Sequence, residues 1–566
     1  MKFQHTLMFA FAISTCLLVS AAEDFAEIES RITSFKLENG LTIIVYGRPG
    51  APVVSCVTYV KAGSADEHVG ITGIAHQLEH LAFKGTPHLG TRSYEAEKSV
   101  LAEIDKLYDA IQAFEQKLPA EIRDSFLSLV AQVTSTGAKA AESGPAISEG
   151  EKVEKAVATL IDTWKEKGFK LKDADREPLL KLVRDFAGKV QDAEQYVEQN
   201  AYDKLISRNG GVGLNAFTSD DRTVYHVSLP ANKLELWAAL ESDRYLNTVP
   251  RQLEKEKQVV LEERRMRTES NAFGKLYEAF LGAAFQAHSY GVPVIGHRSD
   301  ILGYTRDKVM RFYRKHYIPK NTIISIVGDI DVEATKKLLT DYFSRIPAGG
   351  EPDQPVTVEP PQDGERRVEV EFPSQPLMLI GYHVPERHHP DTPALIVLDE
   401  IATNGRASRL YSRLVKTKKA QSVGSWLGPG SRFPRLLTFS SEPVEGSTTE
   451  ELEAAILSEI EKLKTEVPTS EELKRVVTRY RADVLRGLRS NIGMAQQLAD
   501  YQALSGDWRE LFREIREIAA VTPEQVTAVA KKYLTRQNRT VAKIISTSSP
   551  SQAAPTVDSV LGVPVK

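Results

Sequence analysis

His76 and His80 stand four residues apart with Glu79 between them, in the run Gly73-Ile-Ala-His76-Gln-Leu-Glu79-His80-Leu-Ala-Phe-Lys-Gly85-Thr86. On a helix the two imidazoles share one face and can bind a single metal ion through ring nitrogens. Glu79 lies on nearly the same side and can take a proton from an attacking water. This His-x-x-Glu-His order inverts the common zinc-protease motif and is the inverzincin signature. With 12 His and 76 acidic residues among 566, one accidental match has a chance of about three in a hundred. Two exposed histidines beside a salt-bridging Glu would produce the same string.

A catalytic zinc keeps three protein ligands and leaves one position for water. The run Glu254-Lys-Glu256-Lys-Gln-Val-Val-Leu-Glu262-Glu263-Arg-Arg-Met offers candidates for the third. Glu256 and Glu263 are two helical turns apart and face the same way, whereas Glu262 points about 100° from Glu263. An acidic helix of this kind reads in isolation as a solvated face, and spacing alone does not choose among its carboxylates.

The elements that must position these groups are alternating strands and helices. Leu37-Glu-Asn-Gly-Leu41 reads as a hairpin turn, followed by strands at 41–46 and 53–60. Gly70 to Gly85 reads as the helix bearing the histidines. From about 100 to 200, Leu101, Ile104, Leu107, Ile111, Phe114 and Leu118 open a run of amphipathic helix, broken by a polar stretch at 134–150. This is a helical insertion with no catalytic-looking residues. Strand texture returns at 213–229 and 322–327, with helices at 233–246 and 253–268 between them. A proline-rich stretch at 349–364 reads as a linker. Beyond it, strands at 368–372, 377–382, 436–442 and 540–545 repeat the texture of the first part. The fold class expected is α+β: two homologous α/β sandwiches, at 29–348 and 365–548, with a tail from 549.

Hydrophobic residues make up 42% and charged residues 26%, as in globular chains, and the formal net charge of -4 argues against a dedicated nucleic-acid binder. Lys2, the apolar run Leu7–Val19 and Val19-Ser-Ala-Ala22 have the pattern of a removable export leader, placing the mature chain in the periplasm or outside the cell. Cys16 after Ile13-Ser-Thr15 offers a lipid-attachment alternative, which Thr15 fits poorly. The other cysteine, Cys56, would then be alone and reads as a small buried hydrophobe. His388-His389 beside Pro390 reads as a surface loop, and Asn209 to Gly213 as a turn.

The motif and its surroundings resemble the zinc helix of the pitrilysin/insulinase family of metallopeptidases, in its mitochondrial-processing-peptidase-like branch. Members read His-Phe-Leu-Glu-His, an apolar pair and then Phe-Lys-Gly-Thr; Gln77 here replaces the aromatic. The resemblance implies one zinc per chain, held by His76, His80 and Glu263, with Glu256 as the supporting carboxylate and Glu79 as general base. It implies that the two sandwiches enclose a chamber, which a peptide substrate enters to add as a strand beside Asn215, Ala216, Phe217 and Thr218. Family members often take an Arg and a Tyr seven residues later from the zinc-free half or from a partner subunit. Here one alignment places Lys416 and Val423 at those positions and another places Leu414 and Gln421, so the pair is missing. The expected activity is endopeptidase action on oligopeptides or unfolded segments, by the zinc subunit of a heterodimer whose partner supplies the pair. The alternative is a non-catalytic scaffold subunit of the same fold, which has no need to retain His76, Glu79, His80 and Glu263 together.

Overall fold

The Asn39-Gly40 turn closes as the sequence predicts, joining β1 (Ile32–Lys36) to β2 (Thr42–Gly47) with Gly40 N donating to Leu37 O at 2.9 Å. This is a computed structural model and describes residues 25–135 and 149–547. The expected leader at 1–22 with Cys16, most of the polar stretch at 134–150, and the tail from 549 lie outside those residues. β3 (Val53–Val60) leads to α1 (Ile74–Ala82). This helix is shorter than the 70–85 expected, because Gly73 (φ 86°) and Gly85 (φ 105°) take backbone angles that a right-handed helix cannot include.

Five helices then intervene: α2 (Tyr94–Glu115), α3 (Ala120–Ser135), α4 (Glu149–Glu166), α5 (Asp173–Glu194) and α6 (Ala201–Arg208). α2 to α5 gather around their own apolar centre of Tyr108, Phe126, Trp164 and Phe186, which reaches the body through Val249 and Leu302. A second attachment is polar. The Arg251 guanidinium is paired with Glu97 of α2, both almost fully buried, and also donates to Lys84 O (2.7 Å) and Thr86 O (3.1 Å) in the loop after α1.

The chain continues with β4 (Val212–Thr218), β5 (Thr223–Pro230), α7 (Leu234–Asn247), α8 (Leu253–Arg264), α9 (Ala272–Ala284), α10 (Arg298–Leu302), α11 (Arg306–His316), β6 (Thr322–Gly328) and α12 (Val332–Phe343). The helix expected at 253–268 keeps α-geometry only to Arg264; its last turn, Arg265–Glu269, widens to a π-turn. The second half holds β7 (Arg366–Phe372), β8 (Met378–Val384), α13 (Thr392–Thr403), β9 (Ala420–Gly428), β10 (Arg435–Pro443), α14 (Thr449–Thr465), α15 (Ser470–Arg489), α16 (Asn491–Ser505), α17 (Glu510–Ala519), α18 (Pro523–Tyr533) and β11 (Arg539–Ser546). β9 is a strand the sequence reading did not find.

The two sheets run β1-β2-β6-β3-β5-β4 and β7-β11-β8-β10-β9. With β1 set aside, the orders match strand for strand. In each, the first strand lies parallel to the last and every other pairing is antiparallel. The halves are two copies of one α/β sandwich, the first enlarged by α2 to α6. α13, the counterpart of α1, contains no histidine.

One face of each sheet is covered by helices of its own half, and the central strands are apolar on both faces because the other face is covered too. That second cover comes from the opposite half. α16, α17 and the turn between them place Ala495, Leu498, Trp508 and Phe512 on Ile44, Val57, Tyr59 and Ile323 of the first sheet. α9 places Leu276, Phe280 and Ala284 against Leu379, Ala542 and Ile544 of the second. Cys56 is fully buried inside the first sandwich. Phe280 comes so close to Gly381 of β8 that a Cβ there would meet its ring at 2.4 Å. Phe280→Ala should cost about 3–5 kcal/mol by opening a cavity, and Gly381→Ala about 1–3 kcal/mol by overpacking, both read as a lower urea midpoint. An unchanged midpoint in both would mean that the exchanged helix does not hold the halves together.

Candidate metal centre

α1 enters the first core with Ile74, Ala75, Leu78 and Leu81 turned inward, which leaves His76, Glu79 and His80 along the side that meets α8 and β4. Its first turn is fixed by a carboxylate from outside the helix: Glu67 accepts from Gly73 N (2.6 Å) and Ala75 N (2.8 Å). Asp300 does the same for the preceding strand of loop, accepting from Gly70 N (3.0 Å), Thr72 N (2.9 Å) and Thr72 Oγ1 (2.8 Å). Acceptors at a helix N-terminus satisfy donors that have no partner within the helix.

α8 crosses this helix so that its acidic side faces the histidines. The Oε2 atom of Glu263 lies 3.6 Å from Nε2 of His76 and 3.6 Å from Nε2 of His80. The two imidazoles meet edge to face with centroids 4.9 Å apart. One ligand atom from each of the three residues falls within 4.8 Å of the others, the only such group of three or more His, Cys, Asp or Glu among the described residues. Two turns back on α8, Glu256 Oε2 lies 3.4 Å from Nδ1 of His80, and its Oε1 pairs with Lys84 Nζ at 2.5 Å. A carboxylate on Nδ1 fixes that proton and leaves the Nε2 lone pair free to bind a cation. Glu262 points away and pairs with Arg265 at 2.5 Å on the outer side of the helix.

Charge and burial favour a cation here. Burial lowers the pKa of His76 to about 4, so its ring is neutral, the state a metal ligand requires. Burial also works against His80, but hydrogen bonds with Glu256 and Glu263 raise it to about 9: these carboxylates favour positive charge at this spot, whether proton or metal. Glu263 and Glu256 are both held below the usual carboxylate range despite burial, the first by His80, His76 and Arg267, the second by His80 and Lys84. Burial pushes Glu79 above that range, against the hydrogen bond from Thr218 Oγ1 to its Oε2 at 2.6 Å. Two imidazole nitrogens and a carboxylate oxygen, with a second carboxylate behind one imidazole, form a donor set suited to zinc. His76 lacks such a backing group: its Nδ1 is buried without a hydrogen-bond partner. Gln77, in the position of the family's aromatic, is fully buried with both amide atoms unpaired.

Asn215, Ala216, Phe217 and Thr218 lie on β4, the outermost strand of its sheet, paired on one side only through Asn215↔His226 to Thr218↔Thr223 of β5. With the metal-ligand candidates they line a cavity of about 2160 Å³, and every residue lining it lies between His76 and Ile295. Lys416 and Val423, and equally Leu414 and Gln421, are not among them: Leu414 is packed in the second core, Val423 pairs with Ser441 inside the second sheet, and Lys416 and Gln421 face solvent. His388 is exposed in a turn, as expected.

Two contributors escaped the sequence reading. Lys84 follows His80 by one turn and anchors Glu256. Arg267 follows Glu263 by one turn and pairs with its Oε1 at 2.7 Å. The Glu263–Arg267 spacing follows the i,i+4 rule for helical pairs and was open to it, whereas the Lys84–Glu256 pair joins segments remote in sequence. That Thr218 would touch Glu79 needed the tertiary fold.

Comparison with known proteins agrees with this geometry. The profile of the insulinase family (peptidase family M16) matches residues 42–117, and that of the peptidase M16 inactive domain matches residues 303–480. The zinc protease PqqE of Helicobacter pylori is 32% identical over 340 residues, 59% of this chain and 76% of that protein. The chain belongs to the insulinase family, M16. Among solved structures, a protease from Helicobacter pylori matches this M16 chain with a TM-score of 0.68 at 24% identity, over 91% of this chain and 99% of that one. The periplasmic protease PqqL from Escherichia coli matches with a TM-score of 0.58 at 16% identity, over 94% of this chain and 49% of that one. At such identities the likeness is one of fold.

Bound metal measured by mass spectrometry of the intact purified chain should give one zinc. Glu263→Ala should lose it and Glu262→Ala should keep it; the reverse pattern would place the third ligand elsewhere on α8.

Proposed function

We propose that this peptidase-family protein is a zinc metalloendopeptidase acting on oligopeptides or unfolded segments. The observation that carries the reading is the convergence of His76, His80 and Glu263 on one point, with Glu79 beside them and an open strand edge adjoining. A zinc ion held by the three would polarise the scissile carbonyl and bring the pKa of the attacking water towards about 7. The remaining work falls to the chain itself. The free edge of β4 offers backbone donors and acceptors to an extended peptide, which lies as an added strand along Asn215 to Thr218. Thr218 holds one oxygen of Glu79, leaving the other to take a proton from water and return it to the leaving amine. The raised pKa of Glu79 brings its proton affinity nearer neutrality, which suits a group that must both accept and release a proton.

The reading extends to partnership and location. The lining of the cavity by the first half alone, with no Arg/Tyr pair at the aligned positions of the second, supports a heterodimer in which a homologous, zinc-free subunit supplies that pair. That partnership is the ground for proposing the mitochondrial-processing-peptidase-like branch. Export to the periplasm is supported by the leader-like residues 1–22 and by the periplasmic origin of the Escherichia coli relative. No helix among the described residues is long and apolar enough to cross a membrane.

Glu79→Gln should retain zinc while hydrolysis of an unfolded peptide falls by about 10²–10⁴-fold. Equal rates in the variant and the wild type would remove Glu79 from the mechanism, and a zinc-loaded wild type without hydrolysis under any pairing would favour the scaffold role. If the chain alone cleaves as fast as a reconstituted pair, the heterodimer is wrong.

A further inference from the structure

The two halves meet at equivalent turns. The strand orders make β4–β5 the counterpart of β9–β10, and the turn of one hairpin is bonded to the turn of the other. Asp221 accepts from Ser431 N (2.6 Å) and Arg432 N (3.0 Å), and Asp220 from Gly430 N (3.1 Å). Tyr290, at the end of α9's following loop, donates its hydroxyl to Asp221 at 2.6 Å. Gly430 sits at φ 55°, where a Cβ would meet the Tyr290 hydroxyl oxygen at 2.1 Å, so a residue with a side chain cannot make this approach.

From this junction two short paths lead into the metal centre. Along the first, the Arg432 guanidinium pairs with Asp66 (2.9 Å and 3.4 Å), whose side chain is only 1% exposed. Asp66 also accepts from Gly63 N at 3.1 Å. The next residue, Glu67, is the carboxylate that holds Gly73 N and Ala75 N at the start of α1. Along the second, Ser64 N and Ala65 N donate to Ser219 O (3.2 Å) and Asp220 O (2.8 Å) of the β4–β5 turn. One residue before that turn, Thr218 holds Glu79. Three consecutive residues of the second half therefore grip both the segment that starts the histidine helix and the segment that orients the proposed base.

We propose that Arg432 is a positioning residue for the metal centre, acting through Asp66–Glu67 on α1 and, with Ser431 and Asp221, through the Ser219–Arg222 turn on Thr218 and Glu79. The inference rests on the peptidase reading for its catalytic consequence but not for the coupling itself. A misplacement of about 1 Å at a reacting group can cost about 10²-fold in rate, and a buried carboxylate that loses its partner cation will move or take up a proton. Arg432→Met keeps the length and apolar stem while removing the charge; Arg432→Lys keeps the charge without the two-pronged geometry.

The coupling is tested in the full-length, metal-free chain by hydrogen exchange. In Arg432→Met, backbone amides in 68–82 and 214–222 should exchange about tenfold faster, with 179–186 and 392–403 unchanged, because local opening alone has become easier. Arg432→Lys should fall between, and Lys532→Ala, which removes an exposed ion pair of the same half, should match the wild type. No change in either segment overturns the proposal, and so does uniform acceleration along the chain, which would mean simple destabilisation. With zinc and an unfolded peptide, Arg432→Met should lower kcat about tenfold or more with KM within about threefold. A change in KM alone overturns the positioning role. A wild type with no hydrolysis overturns the peptidase reading and leaves the exchange result to decide the coupling.

Discussion

The organising constraint is the meeting of two helices, remote in sequence, within the reach of one ion. His76 and His80 come from α1 and Glu263 from α8, and one Glu263 oxygen sits 3.6 Å from two ring nitrogens at once. Two imidazoles and three carboxylates, counting Glu79 and Glu256, crowd this region. Like charges so placed repel unless a cation or its equivalent stands among them. Lys84 and Arg267 offset Glu256 and Glu263 from their outer sides, and the ring of His80 answers both from within. The rest of the first sandwich serves to keep this arrangement from relaxing. Glu67 and Asp300 fasten α1 at its start, and the buried Arg251–Glu97 pair fastens the loop at its end.

That last contact gives the helical insertion a structural meaning. Its core is separate from the sandwich, yet Glu97 lies at the start of α2 and its guanidinium partner also holds the carbonyls of Lys84 and Thr86. The insertion is thus a brace behind the histidine helix as well as an extra layer. Removing one member of a fully buried ion pair commonly costs about 3–5 kcal/mol, and here the loss would fall directly behind His80 and Lys84.

Much of this was legible in the residues. The His-x-x-Glu-His string, the Asn39-Gly40 turn and the apolar runs of β3 and β6 carry strong local signals, and each stands where those signals put it. The choice of Glu263 over Glu256 as the third ligand came from family resemblance, since helical phase alone admits both. β9 was missed because Ala420-Gln-Ser-Val-Gly-Ser-Trp-Leu-Gly428 neither alternates nor forms an apolar run; it is the last strand of its sheet and half-exposed on both faces. The continuous helix expected to Thr268 gives way to a π-turn after Arg264 that no composition signal marks. The exchange of α9 and α16 between halves was invisible for another reason. An amphipathic helix shows which of its faces is apolar but not which sheet will cover it.

That exchange has a bearing on how the chain comes into being. When α9 has been synthesised, the sheet it must cover does not yet exist, and the outer face of the first sheet waits for α16 and Trp508. At about 5–20 residues per second the interval is on the order of tens of seconds. Throughout it Ile44, Val57 and Tyr59 on one side and Phe280 on the other lack their covers. The first half therefore cannot cover both faces of its sheet ahead of the second, and its fold is completed only once the whole polypeptide has been made.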